Sequence, residues 1–418
     1  MLILQIAYGI VDLSFSGRGS RHRPVVSPPL VEPAMKDRKT IPVKTYKFKM
    51  YSNHGNHELQ KTIDSHAEVW NHFVALCRRY YAIYGRYPGK KVLMRHLTKL
   101  KRLSRFFHWN LLPSQSLQDV IDRLDKAYSK MFADRRSNKR SSRPRFKKRK
   151  LYKSYTLKQA GWKLLQSNHI RIGKRIYRYF KSRDILGTPK RCTVKRDSVG
   201  DVWIIIVTDY VERPLNRPTT GNSAGFDFGL KRYLTGSDYN DYDSPLFFKR
   251  SLNAIKRANR NHSRKVKGSN NRERARLHLA RKHRCIANQR ANFHWQLAHE
   301  LTDRYDWISL ETLNMKGMKR LWGRKVSDLG FYDFVQKLKY IDSKKPNREV
   351  RFIDKWYPSS RTCHVCGAVN QELNLRDRTW QCPNCHTELD RDRNAAINIH
   401  RVGASTLSEE VVSPSLPG

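Results

Sequence analysis

Residues 388–400 read ELDRDRNAAINIH. Asp390 and Asp392 alternate with two arginines directly after a cysteine pair, and the NAAINI segment that follows is small and apolar at helical spacing. This pattern predicts a packed helix with carboxylates at its start. Carboxylates gathered inside a fold are costly unless cations bind them, so the stretch predicts a cation site beside the helix.

The charge of the whole chain makes those acids stand out. Its 418 residues include 84 Lys and Arg against 36 Asp and Glu, a formal net charge of +48. The basic residues come in blocks: ten of the sixteen residues at 135–150 are basic, and 256–290 holds thirteen basic residues and one acid. A solvated surface usually mixes both signs. The blocks therefore favour nucleic acid as the partner, since release of its counterions drives binding.

The ends and the hydropathy of the chain predict its location. No segment reaches the ~20 apolar residues of a membrane-spanning helix. The apolar start MLILQIAYGIV has no basic region before it, unlike a signal peptide. We expect a cytoplasmic, nucleoid-associated protein with neither a membrane partner nor a small-molecule substrate. Residues 1–34 are rich in Ser, Gly and Pro towards their end, which predicts a disordered leader, with Met35 as the functional start.

Four of the seven cysteines form two close pairs. Cys363 and Cys366 are followed, after fifteen intervening residues, by Cys382 and Cys385. This is the spacing of a four-thiolate zinc ribbon, in which the metal is structural. Two disulfides are the alternative, which a reducing cytosol disfavours. His364 and His386 are alternative ligands, although four thiolates already suffice for zinc.

Two further acids stand where apolar residues are expected. Asp227 lies inside the apolar GFDFGL, and Glu311 ends the apolar WISLE. Each has a structural alternative: Asp227 as a turn residue, Glu311 as a cap of the next segment, and Asp390 or Asp392 as a helix N-cap. Together with an acid at the start of the NAAINI helix, they make a set of oxygen donors of the kind that binds Mg²⁺.

Periodicity predicts the order of the elements. We expect a strand at 45–51, amphipathic helices from Glu58 to Tyr84 and from Ser116 to Phe132, and then a β-rich region. Residues 211–222 are predicted to be a linker. Beyond it lie strands in SAGFDFGL, KRYLTGS and PLFFKR, a long basic helical stretch at 249–304, the strand at 306–311, a helix at 331–340 and the strand EVRFID.

These motifs resemble a known family. GFDFGLKRYLTGSD, ISLETLNMKGM, and YPSSRTCHVCG with WQCPNCHTELDRDRNAAINI are similar, in this order, to the three split RuvC motifs and the zinc ribbon of TnpB proteins. TnpB proteins are transposon-encoded, RNA-guided DNA endonucleases related to the type V CRISPR effectors. The similarity extends upstream to TYKFKMYSN and PSQSLQDVIDRLDKAYSKMF and covers roughly residues 35–402.

The resemblance implies an α/β multidomain fold: an RNase H-like RuvC nuclease domain with an inserted four-cysteine zinc ribbon, an N-terminal β-barrel-like wedge domain and a helical recognition lobe. The implied boundaries are listed here: a leader at 1–34, the wedge domain at 35–55 and 140–215, the recognition domain at 56–139, the nuclease domain at 220–355 and 389–402, the ribbon at 356–388 and a tail at 403–418.

The resemblance also implies a function and its residues. Asp227, Glu311 and Asp392 would be the catalytic acids and the ligands of Mg²⁺ or Mn²⁺, and Asp392 is chosen over Asp390 by alignment with the family motif D-x-N-A-A. Cys363, Cys366, Cys382 and Cys385 would bind structural Zn²⁺. The implied partners are a guide RNA from the transposon end and double-stranded target DNA, cut beside a short transposon-associated motif. A catalytically silent guided regulator and a transposase with strand-transfer activity are the alternatives.

Overall fold

Helices and β-strands alternate along the chain. In the computed structural model, the structure describes residues 43–52, 55–211, 218–345, 347–374 and 376–411. The predicted leader at 1–34 lies outside these residues, and so does half of the predicted linker, at 212–217. None of the helices among the described residues is long and apolar enough to cross a bilayer.

The N-terminal half combines three helices with two antiparallel sheets. A four-stranded sheet has the order β1-β7-β6-β2, a three-stranded sheet has the order β3-β4-β5, and an isolated bridge between Met50 and Tyr179 connects them. The elements are β1 (Lys44–Lys49), α1 (Gly55–Tyr84), α2 (Gly89–Leu100), α3 (Ser114–Arg136), β2 (Ser154–Leu157), β3 (Trp162–Leu164), β4 (His169–Ile172), β5 (Arg175–Arg178), β6 (Pro189–Arg196) and β7 (Val202–Thr208).

The predicted strand at 45–51 and both predicted helices are present in this half, and α2 is an addition that the periodicity did not reveal. The apolar faces of all these elements share one hydrophobic core, in which Cys77 is buried on α1. Burial of one apolar stripe per helix stabilises such an arrangement.

The C-terminal half is built on a five-stranded mixed sheet of order β10-β9-β8-β11-β12. Strands β8, β11 and β12 run parallel, whereas β9 and β10 run antiparallel to their neighbours. The elements are β8 (Ser223–Phe228), β9 (Arg232–Gly236), β10 (Asp241–Asp243), α4 (Phe247–Arg264), α5 (Asn270–Arg304), β11 (Trp307–Glu311), α6 (Met315–Leu329), α7 (Phe331–Asp342), β12 (Glu349–Ile353), β13 (Thr379–Gln381), β14 (Glu388–Asp390) and α8 (Arg391–Val411).

The prediction of a strand in PLFFKR is wrong, because α4 begins at Phe247. The buried carboxylate of Asp328 accepts hydrogen bonds from the backbone N–H groups of Phe248 at 3.0 Å and Lys249 at 3.2 Å. These bonds satisfy donors that a helix N-terminus leaves unpaired. The cap comes from α6, far along the chain, so local periodicity could not show it.

The long basic stretch is two helices rather than one. It breaks between α4 and α5, where Gly268 has φ +94° and Ser269 caps α5 by accepting from Arg272 N at 3.1 Å. The helix that starts in the NAAINI region also differs from expectation in length, because α8 continues past residue 402 to Val411.

Helix α8 lies unusually close to β8. A Cβ added to Gly225 would stand 2.4 Å from His400 N and 2.5 Å from Ala396 O, both backbone atoms of α8. Ala395, Ala396 and Ile399 of the NAAINI segment are buried in this contact. The small residues on both elements therefore allow helix and strand to approach each other through their backbones.

We predict that Gly225→Ala lowers the free energy of unfolding by about 1 to 3 kcal/mol, because the added methyl group overpacks a backbone contact that cannot yield by a rotamer change. The measurement is thermal or denaturant unfolding followed by circular dichroism.

Gly323→Ala is the matched control for this substitution. Gly323 lies in α6, and an added Cβ would meet nothing within 4 Å. Alanine favours a helix interior over glycine by roughly 0.5–1 kcal/mol, so this variant should be as stable as the wild type or slightly more stable. Equal destabilisation by both substitutions would contradict the close approach of α8 and β8.

Candidate functional site

A cleft at one edge of the five-stranded sheet contains the three predicted acids. Asp227 is near the carboxyl end of β8, Glu311 is the last residue of β11, and Asp392 lies in the first turn of α8. All three line one cavity of about 560 Å³. Because β8 and β11 are parallel neighbours, their carboxyl ends reach the same edge of the sheet.

The acids perturb one another electrostatically. Desolvation, followed by the negative charges of Glu311 and Asp392, raises the pKa of Asp227 to about 7, against a smaller opposing effect of Arg391. Burial also raises the pKa of Glu311. Carboxylates held in one cleft at such a cost form a site that a cation would stabilise.

Asp392 is held by two arginines. Arg378 Nη1 donates to Asp392 Oδ2 at 2.5 Å, and Arg391 Nη2 lies 3.3 Å from Asp392 Oδ1. Asp390 has a different role: its Oδ1 accepts from Arg393 N at 2.8 Å and caps α8. The structure thus brings Asp392 into the cleft and leaves Asp390 as the N-cap.

The donor set of the cleft fits a hard divalent cation, because carboxylate oxygens are the ligands that Mg²⁺ and Mn²⁺ prefer. The acids share the cleft without forming a tight cluster. Within the described ranges, the four cysteines are the only group of three or more His, Cys, Asp or Glu residues with ligand atoms close enough for one ion.

The four cysteine sulfurs form this tight cluster, all within 4.8 Å of one another. Cys363 Sγ is 3.6 Å from Cys385 Sγ, and Cys366 Sγ is 3.5 Å from Cys382 Sγ. A tetrahedron with Zn–S bonds of ~2.3 Å has sulfurs roughly 3.8 Å apart, whereas a disulfide needs ~2.05 Å. The cluster therefore fits zinc rather than two disulfides, and neither His364 nor His386 belongs to it.

Each cysteine pair sits on the same kind of turn. Gly367 N donates to Cys363 O at 2.9 Å and Cys363 N to Ala368 O at 2.8 Å. The second pair repeats this, with His386 N donating to Cys382 O at 3.0 Å and Cys382 N to Thr387 O at 2.9 Å. The side-chain and backbone hydrogen bonds of Thr387 lower the pKa of Cys385 to about 6, which favours the thiolate.

Two asparagines of the NAAINI segment fasten the ribbon to α8, a role that the sequence analysis missed. The Asn398 side-chain amide donates to Ser359 O at 2.8 Å and Thr362 O at 2.6 Å, and that of Asn394 donates to Thr362 O at 2.7 Å. Asn394 Oδ1 also accepts from His364 N at 2.9 Å. Their spacing of four residues on a helix was the available signal, since it places both amides on one face.

Basic and aromatic side chains also line the cleft. Three arginines and one lysine line it together with the acids, and so does an exposed tryptophan: Arg361, Arg378, Arg391, Lys355 and Trp356. Arginine forks suit phosphate oxygens. The cleft therefore combines donors for a cation with donors for the phosphates of a nucleic-acid backbone.

Comparisons with known proteins identify the family of the chain. A family model described as "Probable transposase" matches residues 205–321, and one described as "Cas12f1-like, TNB domain" matches residues 331–399. A Streptomyces pristinaespiralis protein named "Putative RNA-guided DNA endonuclease" is 30% identical over 313 residues, which is 73% of this chain and 76% of that protein. The chain belongs to the TnpB family.

Further relatives of this TnpB-family chain are similarly distant. An Escherichia coli K12 protein, also named "Putative RNA-guided DNA endonuclease", is 29% identical over 71% of this chain and 76% of its own length. A mimivirus "TnpB-like protein" is 28% identical over 53% of this chain and 45% of its own. A chain from the cryo-EM structure of a Cas12f1–sgRNA–target DNA complex aligns with a TM-score of 0.50 at 13% identity, over 86% of this chain and 98% of that one. This likeness shows a shared mixed α/β fold.

We predict that the purified protein contains about one zinc ion per chain and that Cys382→Ser removes it, because a three-thiolate site loses its closed tetrahedral shell. The measurement is elemental analysis of metal per protein, with thermal unfolding alongside. Loss of zinc should lower the stability of the variant, since structural zinc binding contributes to folding.

Cys285→Ser is the control, since Cys285 is exposed and outside the cluster, and it should retain the metal. Wild-type protein without zinc, in which only three of the seven cysteines react with a thiol reagent, would instead indicate two disulfides.

Proposed function

We propose that this TnpB-family protein is an RNA-guided DNA endonuclease that depends on Mg²⁺ or Mn²⁺ and uses Asp227, Glu311 and Asp392 as its catalytic acids. The convergence of these three acids in one cleft carries the proposal. The three acids are far apart in the sequence, and the fold brings them to one cavity. The names of the two bacterial relatives support the same activity.

The topology of the sheet supports an RNase H-like RuvC domain. Three consecutive strands pair antiparallel in the order β10-β9-β8, and β11 and β12 then add in parallel beside β8. Helix α8 packs across β8 and supplies the third acid. In this arrangement the acids lie at the carboxyl ends of β8 and β11, where the loops leave the sheet.

Each residue of the cleft has a distinct task in this proposal. Asp227, Glu311 and Asp392 would hold the divalent cation, which, when bound, neutralises phosphate charge and activates the attacking water. Arg361 and Arg391 would bind the backbone phosphates beside the scissile one. Arg378 would release Asp392 to the cation and become available to a phosphate, since its guanidinium is already in the cleft.

Two basic surfaces suit the guide RNA and its duplex with target DNA. The first is the extended segment 139–148, whose backbone is fixed along α1: Trp70 Nε1 donates to Arg145 O at 3.0 Å, and Lys147 N donates to Asn71 Oδ1 at 2.8 Å. These hydrogen bonds fix the backbone from which the basic side chains of the segment extend. The second is the pair of basic helices α4 and α5. When Lys and Arg side chains on these surfaces neutralise phosphates, the counterions condensed on the nucleic acid are released, which favours binding.

The partners follow from these surfaces. We infer that the RNA is a guide from the transposon end and that base pairing selects double-stranded target DNA beside a short transposon-associated motif. The bound RNA would neutralise most of the +48 charge of the chain.

Transposition is the second candidate, because the model that matches residues 205–321 is described as a transposase. The same acids could serve strand transfer. The products separate the two activities: a transposase joins DNA ends to a new strand, whereas an endonuclease leaves them free.

We predict that Asp227→Asn, Glu311→Gln and Asp392→Asn each reduce the rate of DNA cleavage and leave RNA binding intact. The reduction should exceed ~10–100-fold, which is the effect of losing a residue that only supports a metal ligand. The measurement is cleavage of a matched plasmid by the protein–RNA complex in Mg²⁺. Asp227→Asn also removes a carboxylate whose pKa is raised to about 7. In metal-free buffer this variant should therefore be at least as stable as the wild type.

Asp390→Asn is the matched control, because asparagine also caps a helix and residue 390 points to Arg393 N rather than into the cleft. It should cut normally. If Asp390→Asn abolishes cutting and Asp392→Asn does not, the assignment of the third acid is wrong.

We further predict that the protein copurifies with one RNA species when its gene is expressed together with the flanking DNA. High salt should release this RNA, because phosphate contacts weaken as the salt concentration rises. Sequencing this RNA gives the guide, and a plasmid library with a matching target and a randomised flank then tests cutting. Cut plasmids that share one flank are the expected result. Bound RNA without cuts under any flank would favour a guided regulator over a nuclease.

A further inference from the structure

An exposed tryptophan stands at the mouth of the acidic cleft. Trp356 lines the same cavity as Asp227, Glu311 and Asp392, yet 77% of its surface is exposed. Large aromatic side chains normally gain stability from burial. The exposed Trp356 ring does not gain this stability, and its flat apolar face is open to a ligand.

The loop that carries Trp356 is well fixed. It follows β12, whose last residue, Ile353, accepts from Thr312 Oγ1 at 2.7 Å and so lies beside the end of β11 and Glu311. Asp354 Oδ1 then accepts from Trp356 N at 2.6 Å. Further along, Ser359 O is held by the amide of Asn398 at 2.8 Å. The indole is therefore presented from a backbone anchored on both sides.

A cation accompanies the ring. Lys355 Nζ lies 4.7 Å from the centroid of the Trp356 ring and lines the same cavity. An indole face takes a planar, polarisable group, and a neighbouring ammonium takes an anion. One nucleotide offers both, because its base stacks and its phosphate carries the charge.

We propose that Trp356 and Lys355 form a stacking platform for one unpaired nucleotide of the strand to be cut, and that this platform sets the position of the scissile phosphate relative to the acids. Trp356 is thus a positioning residue. The base must be unpaired and unstacked on one side, because a base inside a duplex has no free face. This inference rests on the proposed nuclease function and adds a subsite to its cleft.

Trp307 provides a comparison within the same sheet. It is also exposed, by 40%, and also has a cation close to its ring, with Arg351 Cζ 5.9 Å from the centroid. It lies at the amino end of β11, whereas the acids lie at the carboxyl ends of the strands. Trp307→Ala is therefore a matched control for loss of an exposed tryptophan that is remote from the cleft.

The first test is a crosslinking scan that needs no catalysis. Single-stranded DNA with one 5-iododeoxyuridine at successive positions is irradiated with the protein–RNA complex in buffer without added Mg²⁺ or Mn²⁺, which leaves the zinc ribbon intact, and the crosslinked peptide is identified by mass spectrometry. We expect one position to crosslink to Trp356, and no crosslink of that probe in Trp356→Ala. Crosslinks only to other residues would overturn the platform.

The second test is a kinetic cycle on the cut strand. Loss of one base stack corresponds to a fall of about 5- to 150-fold, so Trp356→Ala should slow single-turnover cleavage or raise KM within that range. Trp356→Phe should retain most of the effect, and Trp307→Ala should behave as the wild type. An abasic site at the crosslinking position should slow the wild type by a similar factor and have no further effect on Trp356→Ala.

The outcomes separate the platform from the nuclease assignment. A crosslink at Trp356 without any cutting would contradict the nuclease, and with it the positioning role of Trp356, but would leave the binding of an unpaired nucleotide by Trp356 standing. Cutting that is equally fast in Trp356→Ala, or additive with the abasic site, would overturn the platform alone. A change of oligomeric state in Trp356→Ala, seen by size exclusion, would also overturn it, because the ring would then contact a second copy.

Discussion

The backbone contact between α8 and β8 is the constraint on which the candidate site depends. Gly225 lacks the Cβ that would meet Ala396 O and His400 N, so the helix lies directly on the strand that carries Asp227. This fixes the first turn of α8, and hence Asp392, at the edge where β8 ends. From another side of the helix, Asn394 and Asn398 bind the carbonyl groups of Ser359 and Thr362. One helix therefore sets the positions of an acid, the sheet and the zinc ribbon relative to each other.

The electrostatics of the cleft are the reverse of those of the chain as a whole. On a molecule with a large positive charge, three carboxylates share one cavity, where desolvation, followed by the charges of Glu311 and Asp392, raises the pKa of Asp227 to about 7. Arginines around them lower this cost only in part. In the proposed function, the surrounding charge would attract a polyanion over a distance, while the local negative charge would bind a metal cation at the point where a phosphodiester would lie. In this proposal, nucleic-acid binding depends on the positive residues and DNA cleavage depends on the negative ones, and both line the same cleft.

The sequence predicted what short-range spacing determines. Two Cys-x2-Cys pairs fifteen residues apart have the spacing of a zinc ribbon, and the cluster of Cys363, Cys366, Cys382 and Cys385 followed from that spacing. Asp227 and Glu311 were recognisable because an acid in an apolar strand is unusual, although the family resemblance was needed to choose Asp392 over Asp390 as the third acid. The α-helix at Phe247 was missed because its cap, Asp328, is distant in sequence. Trp356 gave no signal either, since exposure depends on the fold around a residue and has no periodicity.

The two cysteine turns of the ribbon have the same backbone hydrogen bonds but different residues at one position. In each, the residue after the second cysteine has a left-handed backbone: Gly367 with φ +78° and His386 with φ +56°. Glycine adopts this conformation freely, whereas a side chain costs roughly 1–2 kcal/mol. The Cys363 turn is therefore preorganised by its own sequence, and the Cys382 turn is held by what it binds. Formation of the Cys382 turn therefore costs more free energy than formation of the Cys363 turn, and the interactions of the folded ribbon offset this difference.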